Sequence, residues 1–81
     1  MQDTEVLGQI QQMIDAEHSL RSSIAEPGAD RESVREELAR IEERLDQCWD
    51  LLRQRRARRE FGENPDDASV RPVSEVEGYR Q

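Results

Sequence analysis

Apolar residues recur along the first third of the chain at alternating spacings of four and three residues. They are Val6, Ile10, Met13, Leu20 and Ile24, with Glu17 at the one position of the pattern that is not apolar. Such a heptad repeat forms one stripe along an α-helix. Asp3 or Thr4 is expected to cap this helix, and Pro27 with Gly28 should end it. The pattern therefore predicts a first helix over about residues 4–26.

The same spacing continues without a gap after residue 30. The apolar positions are Val34, Leu38, Ile41, Leu45, Cys48 and Leu52. Arg55 and Arg59 take the next two positions of the pattern. Asp30 is the expected N-cap, and the segment "FGENP", with a glycine and a proline, should stop the helix. A second helix is predicted over about residues 31–61.

The two stripes match each other in an antiparallel arrangement. Facing residues in a helical hairpin have a constant sum of their residue numbers, and the pairs Val6–Leu52 and Ile24–Val34 both give 58. Each apolar position of the first stripe finds an apolar partner, and Glu17 faces Ile41. The predicted fold is therefore all-α, an antiparallel two-helix hairpin.

The C-terminal segment has a different composition. Residues 62–81 are polar, with Val70, Val73, Val76 and Tyr79 scattered among them. We predict a helical hairpin domain over residues 1–61, followed by a tail that is extended or partly ordered.

A single hairpin of this size leaves apolar residues uncovered. Leu7, Ile14, Trp49 and Leu51 flank the stripes and would stay exposed on a monomer. Short chains without disulfides or metals gain stability by oligomerisation, and one cysteine cannot form an internal disulfide. We therefore predict a homodimer that forms a four-helix bundle. The predicted dimer interface consists of Leu7, Ile14, Cys48, Trp49, Leu51 and Leu52.

Charge and hydropathy restrict the partners. The 81 residues carry a net charge of −7, which disfavours binding to nucleic acid or to anionic membranes. The N-terminal segment lacks the features of a signal peptide, and no apolar run approaches the roughly 20 residues that span a bilayer. These features predict a soluble, cytoplasmic protein.

Five arginines lie close together near the end of the second helix. They are Arg53, Arg55, Arg56, Arg58 and Arg59. Such a cluster can neutralise phosphates or bind a protein partner. Nearby acids offer a third interpretation, because the hairpin places Asp3 and Glu5 opposite positions 55 and 53. Four more acids follow along the chain: Glu60, Glu63, Asp66 and Asp67. Pairing within the chain is the favoured interpretation.

The remaining unusual residues also have structural interpretations. Cys48 lies on the stripe opposite Ile10 and is expected to act as a small apolar residue. Glu17 interrupts its stripe, and we predict that it forms a buried salt bridge with Arg21 or, across the hairpin, with Arg40 or Arg44. A small-ligand or metal site at Glu17 and His18, with Arg44, is the alternative.

The chain shows no catalytic motif. It has no phosphate-binding glycine loop, no CxxC pair and no Ser–His–Asp arrangement that the two helices would bring together. We therefore expect no enzymatic activity and no cofactor. The leading hypothesis is a homodimeric helical interaction module. An accessory factor that binds nucleic acid through the Arg53–Arg59 cluster is the first alternative.

One long motif of the chain resembles a known protein family. "LDQCWDLLRQRRA", with "AEHSLR" before it and "NPDDASVRPVSEVEGYRQ" after it, resembles a family of small uncharacterised actinobacterial proteins. The resemblance extends over nearly the whole chain. It implies a cytosolic protein of helical-hairpin type and brings no assigned activity, substrate or catalytic residue.

Overall fold

The chain forms two long antiparallel helices and a tail that folds back onto the second. The computed structural model describes residues 2–77. Helix α1 spans Asp3–Ile24 and helix α2 spans Arg31–Glu60. A 3₁₀ helix follows at Pro65–Asp67, and a short helix α3 spans Val73–Glu77. The all-helical fold with two long helices confirms the predicted fold class, and the bounds agree within two residues.

The two ends of α2 follow local rules. The Asp30 side chain accepts a hydrogen bond from the backbone N–H of Ser33, as predicted for an N-cap. At the other end, Gly62 adopts φ +73°, and Glu63 N–H donates to the carbonyl of Arg58. This is a Schellman motif, in which a glycine accepts the left-handed conformation and reverses the chain. The reversal returns the tail along α2.

The start of α1 differs from the prediction. Gln2 occupies the N-cap position and its side chain makes no capping hydrogen bond, so the expected cap by Asp3 or Thr4 is wrong. Asp3 is instead the first helical residue, and its carboxylate contacts Arg55 and Arg59 on α2. The ion pairs across the hairpin outcompete the local cap.

The packed core lies at the end of the hairpin away from the turn. Val6, Ile10 and Leu51 are buried there. Several half-buried residues pack against them: Ile14, Leu45, Cys48, Leu52 and the tail residue Ala68. We call this region, with residues 3–14, 45–60 and the tail, the tail half.

The other part of the hairpin, residues 15–44, is the turn half. Its stripe residues are only half-buried, because two helices alone cover them: Leu20, Ile24, Val34, Leu38 and Ile41.

The tail is more ordered than its composition suggests. Both the 3₁₀ helix and α3 pack on α2, and Val76 is buried. Val70 stays exposed. Tyr79, the other large apolar residue of the tail named with these valines above, lies outside the described residues. The tail therefore forms a third layer over the tail half.

Candidate functional site

A buried ion pair holds the tail on α2. Asp50 is 1% exposed and accepts hydrogen bonds from Arg71, whose Nε lies 2.8 Å from Asp50 Oδ2 and whose Nη2 contacts the other oxygen. Gln54 Nε2 donates to the same carboxylate at 2.9 Å. The hydrogen bonds from Arg71 lower the pKa of Asp50 although burial acts in the opposite direction. Asp50 is therefore a charged anchor inside the protein.

Two glutamines of α2 bind the tail backbone. Gln47 Nε2 donates to the carbonyl oxygen of Arg71 at 3.0 Å, and Gln54 Nε2 donates to that of Ser69 at 2.9 Å. Residues 47, 50 and 54 lie three and four positions apart, so they share one side of α2. This polar strip satisfies backbone groups of the tail that would otherwise lose hydrogen bonds to water.

Arg55 forms a second anchor between three segments. It is 5% exposed, and its Nε lies 2.6 Å from Asp3 Oδ1. Its Nη1 donates to Asp66 Oδ1 at 3.0 Å and to the Pro65 carbonyl oxygen at 3.2 Å. These contacts lower the pKa of both carboxyl groups and raise that of the guanidinium. The contact with Asp3 agrees with the residue-number sum of 58, and burial removes Arg55 from the accessible cationic surface.

Three further arginines of the cluster are also paired. Arg56 contacts Glu60, Arg58 contacts Glu63, and Arg59 contacts Asp3, at N–O distances of 3.1, 3.2 and 2.8 Å. Within residues 2–77, Arg53 forms no ion pair and is exposed. It borders a cleft of about 580 Å³ beside Trp49 and the Asp50–Arg71 pair. Most of the positive charge of the cluster is thus balanced inside the chain, which weakens the case for phosphate binding.

Glu17 is half-buried and pairs within its own helix. Its Oε2 lies 3.6 Å from Nη2 of Arg21, whose side chain is 57% exposed. The predicted ion pair of Glu17 with Arg21 is present but only partly buried, because the Glu17 side chain is 22% exposed, and across residues 2–77 Arg44 makes no ion pair with Glu17. His18 is exposed. The described residues contain no group of three or more His, Cys, Asp or Glu side chains placed to hold a metal ion.

One side of the hairpin lies away from the tail's hydrogen bonds to Gln47, Asp50 and Gln54, although tail residues line the clefts that border Trp49 and Glu42. On α1, Leu7 and Ile14 come directly after the heptad-stripe residues Val6 and Met13. On α2, Glu42, Trp49 and Arg56 come directly after stripe positions 41, 48 and 55. Such positions lie on one common side of an antiparallel helix pair. Arg21, one heptad after Ile14, shows this directly because its Nη2 lies 3.2 Å from Glu42 Oε1. We name this side the outer face: Leu7, Ile14, Arg21, Glu42, Trp49 and Arg56.

The outer face carries large exposed apolar side chains. Leu7 is 47% exposed and Trp49 is 43% exposed. The residue-number sum of 58 places position 9 opposite Trp49, so Leu7 and Trp49 lie at nearly the same height along the hairpin. Ile14 is half-buried beside them. Apolar surface of this kind, next to charged groups, marks an interaction site.

The structure divides the residues of the predicted interface between the core and the outer face. Leu51, expected to be exposed on a monomer, is 4% exposed, because it points roughly 200° around α2 from Trp49, into the core where the tail residue Ala68 also packs. Cys48 and Leu52 belong to the hairpin core. Burial raises the pKa of the Cys48 thiol, which disfavours a reactive thiolate. Leu7, Ile14 and Trp49 remain on the outer face.

Sequence reasoning missed the anchors at Asp50 and Arg71. Asp50 stands between Trp49 and Leu51 and looks like a solvated residue. Two features of the sequence indicate this contact. Polar side chains at positions 47, 50 and 54 share one side of α2, and Arg71 lies among the valines of the tail.

Neither long helix carries an apolar segment of the length that crosses a lipid bilayer, within the part of the chain described.

Comparison with known proteins identifies relatives along the chain. Uncharacterized protein Rv0898c of Mycobacterium tuberculosis (strain ATCC 25618 / H37Rv) is 47% identical over 77 residues, which cover 95% of this chain and 88% of the relative. Uncharacterized protein Mb0922c of Mycobacterium bovis matches to the same extent. No solved structure matches the chain. A family model described as "Protein of unknown function (DUF2630)" matches residues 2–81. The chain therefore belongs to the DUF2630 family, and its mycobacterial relatives agree with the actinobacterial resemblance of its motif.

Proposed function

We propose that this protein is a non-enzymatic helical interaction module that forms a homodimer through its outer face. The observation that carries the proposal is the exposure of Leu7 and Trp49 at one height of the hairpin. A second copy packed on this face would give a four-helix bundle and would remove both side chains from water. Burying apolar area is worth about 25 cal/mol per Å².

The hydrogen bonds of the tail are compatible with a contact through the outer face. The tail packs on the side of α2 that carries Gln47, Asp50 and Gln54. A dimer through the outer face would leave these hydrogen bonds in place, with Val76 and Glu77 of α3 at the edge of the interface beside Trp49 and Glu42. It also leaves the ion pairs of Asp50 and Arg55 intact.

The use of the polar groups supports a structural role. Asp50 and Arg55 are the buried charged residues of the described chain, and both join segments of the fold. Every buried side-chain N or O atom in residues 2–77 has a hydrogen-bond partner. Active sites typically contain titratable groups whose pKa is adjusted for proton transfer, whereas the shifts of Asp3, Asp50 and Asp66 here stabilise the charged forms.

Sedimentation equilibrium on the full chain at micromolar concentration tests the proposal. We expect a dimer for the native sequence and a monomer of unchanged helicity for Trp49→Glu and for Leu7→Glu. Phe61→Glu is the matched control, because Phe61 is 80% exposed and lies off the outer face. A native chain that stays monomeric would refute the proposal. Equal loss of the dimer in the Phe61 variant would show that the outer face is not the interface.

A further inference from the structure

The α2 part of the outer face is self-complementary in charge. Glu42, Trp49 and Arg56 are spaced by seven residues, so they lie in one line along the helix. A carboxylate stands two turns before the tryptophan, and a guanidinium stands two turns after it. Each charged group is about 10 Å from Trp49 along the helix axis. A line of this kind can pair with a copy of itself that runs in the opposite direction.

A two-fold axis at the height of Trp49 produces that pairing. Residues at equal height on two antiparallel copies of α2 then have numbers that sum to 98. Arg56 meets Glu42 of the second copy, and the symmetry repeats this ion pair on the other side of the axis. Trp49 meets its own copy. Leu45 and Leu52, one turn away on either side, are half-buried because they pack into the hairpin core, so Trp49 supplies most of the apolar contact on α2.

We propose that the partner of the outer face is a second copy of this chain in antiparallel orientation, with α2 on α2 and with Arg56 of each chain bound to Glu42 of the other. This inference rests on the proposed function, since it specifies the geometry of the same dimer. It assigns Glu42 and Arg56 as the residues that select the orientation, while Leu7 and Trp49 supply the apolar contact.

The present partners of these two residues leave them available. Arg56 contacts Glu60 within α2, and the two side chains are 78% and 61% exposed. Glu42 contacts Arg21, and these side chains are 54% and 57% exposed. Exposed ion pairs contribute little to stability. In the dimer Glu42 can keep Arg21 and gain Arg56 of the second copy, so that two guanidinium groups flank one carboxylate.

The parallel arrangement makes poorer contacts. With the two-fold axis along the helices, α2 of one copy lies over α1 of the other. Glu42 would then lie over Ile14 of the second copy, which desolvates the carboxylate and adds no second cationic partner to Arg21 of its own chain. Arg35, one heptad before Glu42, would approach Arg21 of the second copy, and like charges repel. The antiparallel arrangement avoids both contacts.

Mixing two charge-reversal variants tests the orientation. In an Arg56→Glu homodimer, both symmetric contacts pair two carboxylates. In a Glu42→Arg homodimer, both pair two guanidinium groups. We expect each variant alone to associate more weakly than the native chain, by roughly tenfold in Kd. In the mixed dimer every contact joins opposite charges, so an equimolar mixture should associate with near-native affinity. Glu43→Arg, one position further around the helix, is the control and should not change the affinity.

The possible outcomes separate this inference from the proposed function. Rescue on mixing supports the antiparallel dimer, and it cannot arise from a change in the stability of either monomer. A native dimer whose single variants associate normally, or whose weakened variants are not rescued by mixing, overturns the antiparallel geometry and leaves a homodimer standing. A native chain that is monomeric in the same measurement overturns both.

Discussion

The two halves of the hairpin use the same heptad pattern and reach different degrees of burial. In the turn half, stripe residues such as Leu38 and Ile41 stay half-buried because α1 and α2 cover them alone. In the tail half, Val6 is 0% exposed and Leu51, beside the stripe, is 4% exposed, although the stripe residues Leu45 and Leu52 are half-buried there as well. The difference comes from the tail, which adds a third layer. A two-helix seam cannot by itself exclude water from its side chains.

The tail is held in place mainly through polar contacts. Val76 is the buried apolar residue of the described tail, and Pro65, Ala68 and Val73 are half-buried. The ion pairs of Asp50 and Arg55, and the glutamine hydrogen bonds to the tail backbone, fix its path. Polar contacts of this kind are directional, so they select one docked position more strictly than apolar contacts do. The comparison of the two halves can be tested by removing these contacts.

Removal of the Arg71 guanidinium should have the largest effect. Arg71→Ala leaves Asp50 buried with a negative charge and without its main partner, and breaking a buried pair in this way costs about 3 kcal/mol. Urea unfolding followed by circular dichroism measures the loss. Glu17→Gln is the control in the turn half, because it removes an exposed pair and should cost less than about 0.5 kcal/mol. Equal losses for the two variants would contradict the difference in burial.

Apolar truncation should also distinguish the halves. Leu51→Ala removes a buried side chain from the core and should lower the free energy of unfolding by about 2–3 kcal/mol. Leu38→Ala removes a half-buried side chain of the turn half, and we expect about 1 kcal/mol. The same urea experiment measures both. If Leu38→Ala is as destabilising as Leu51→Ala, the turn half is packed as tightly as the tail half.

Acid should weaken the tail half first. The pKa values of Asp3, Asp50 and Asp66 are lowered by their arginine partners. Below about pH 4, where unfolded aspartates take up protons, the unfolded state binds more protons than the folded state, so stability falls as the pH decreases. Hydrogen exchange of the α2 and tail amides between pH 5 and pH 3 (roughly the window in which free aspartate titrates) should show this loss. Asp50→Asn should reduce the pH dependence, and an unchanged profile would exclude Asp50 as a contributor.

Sequence pattern accounts for the hairpin because its information is periodic. The alternating spacings fix which side of each helix is apolar, and the sum of 58 aligns Val6 with Leu52 and Asp3 with Arg55. Both contacts follow from helix geometry alone. Leu7 and Trp49 could likewise be recognised as surplus apolar residues beside the stripe.

The docked tail could not be derived in the same way. Its contacts join residues far apart in the chain, such as Asp50 with Arg71, and no repeat connects them. The burial of Arg55 has the same origin, since Pro65 and Asp66 reach it only after the chain reverses at Gly62. For the same reason, the two-helix pattern places Leu51 in the dimer interface. A prediction from two helices alone could not include the layer that covers it.

The Asp3–Arg55 contact has a consequence for folding errors. A seven-residue repeat does not distinguish the correct alignment of two helices from one that has slipped by a heptad, because apolar residues again meet apolar residues. In the slipped hairpin whose facing numbers sum to 65, Arg55 would lie opposite Ile10, and its charge would be buried without a carboxylate. In the native alignment the guanidinium bonds to Asp3 at 2.6 Å. One charged residue in an apolar position of the repeat thus makes the misaligned hairpin the costly one.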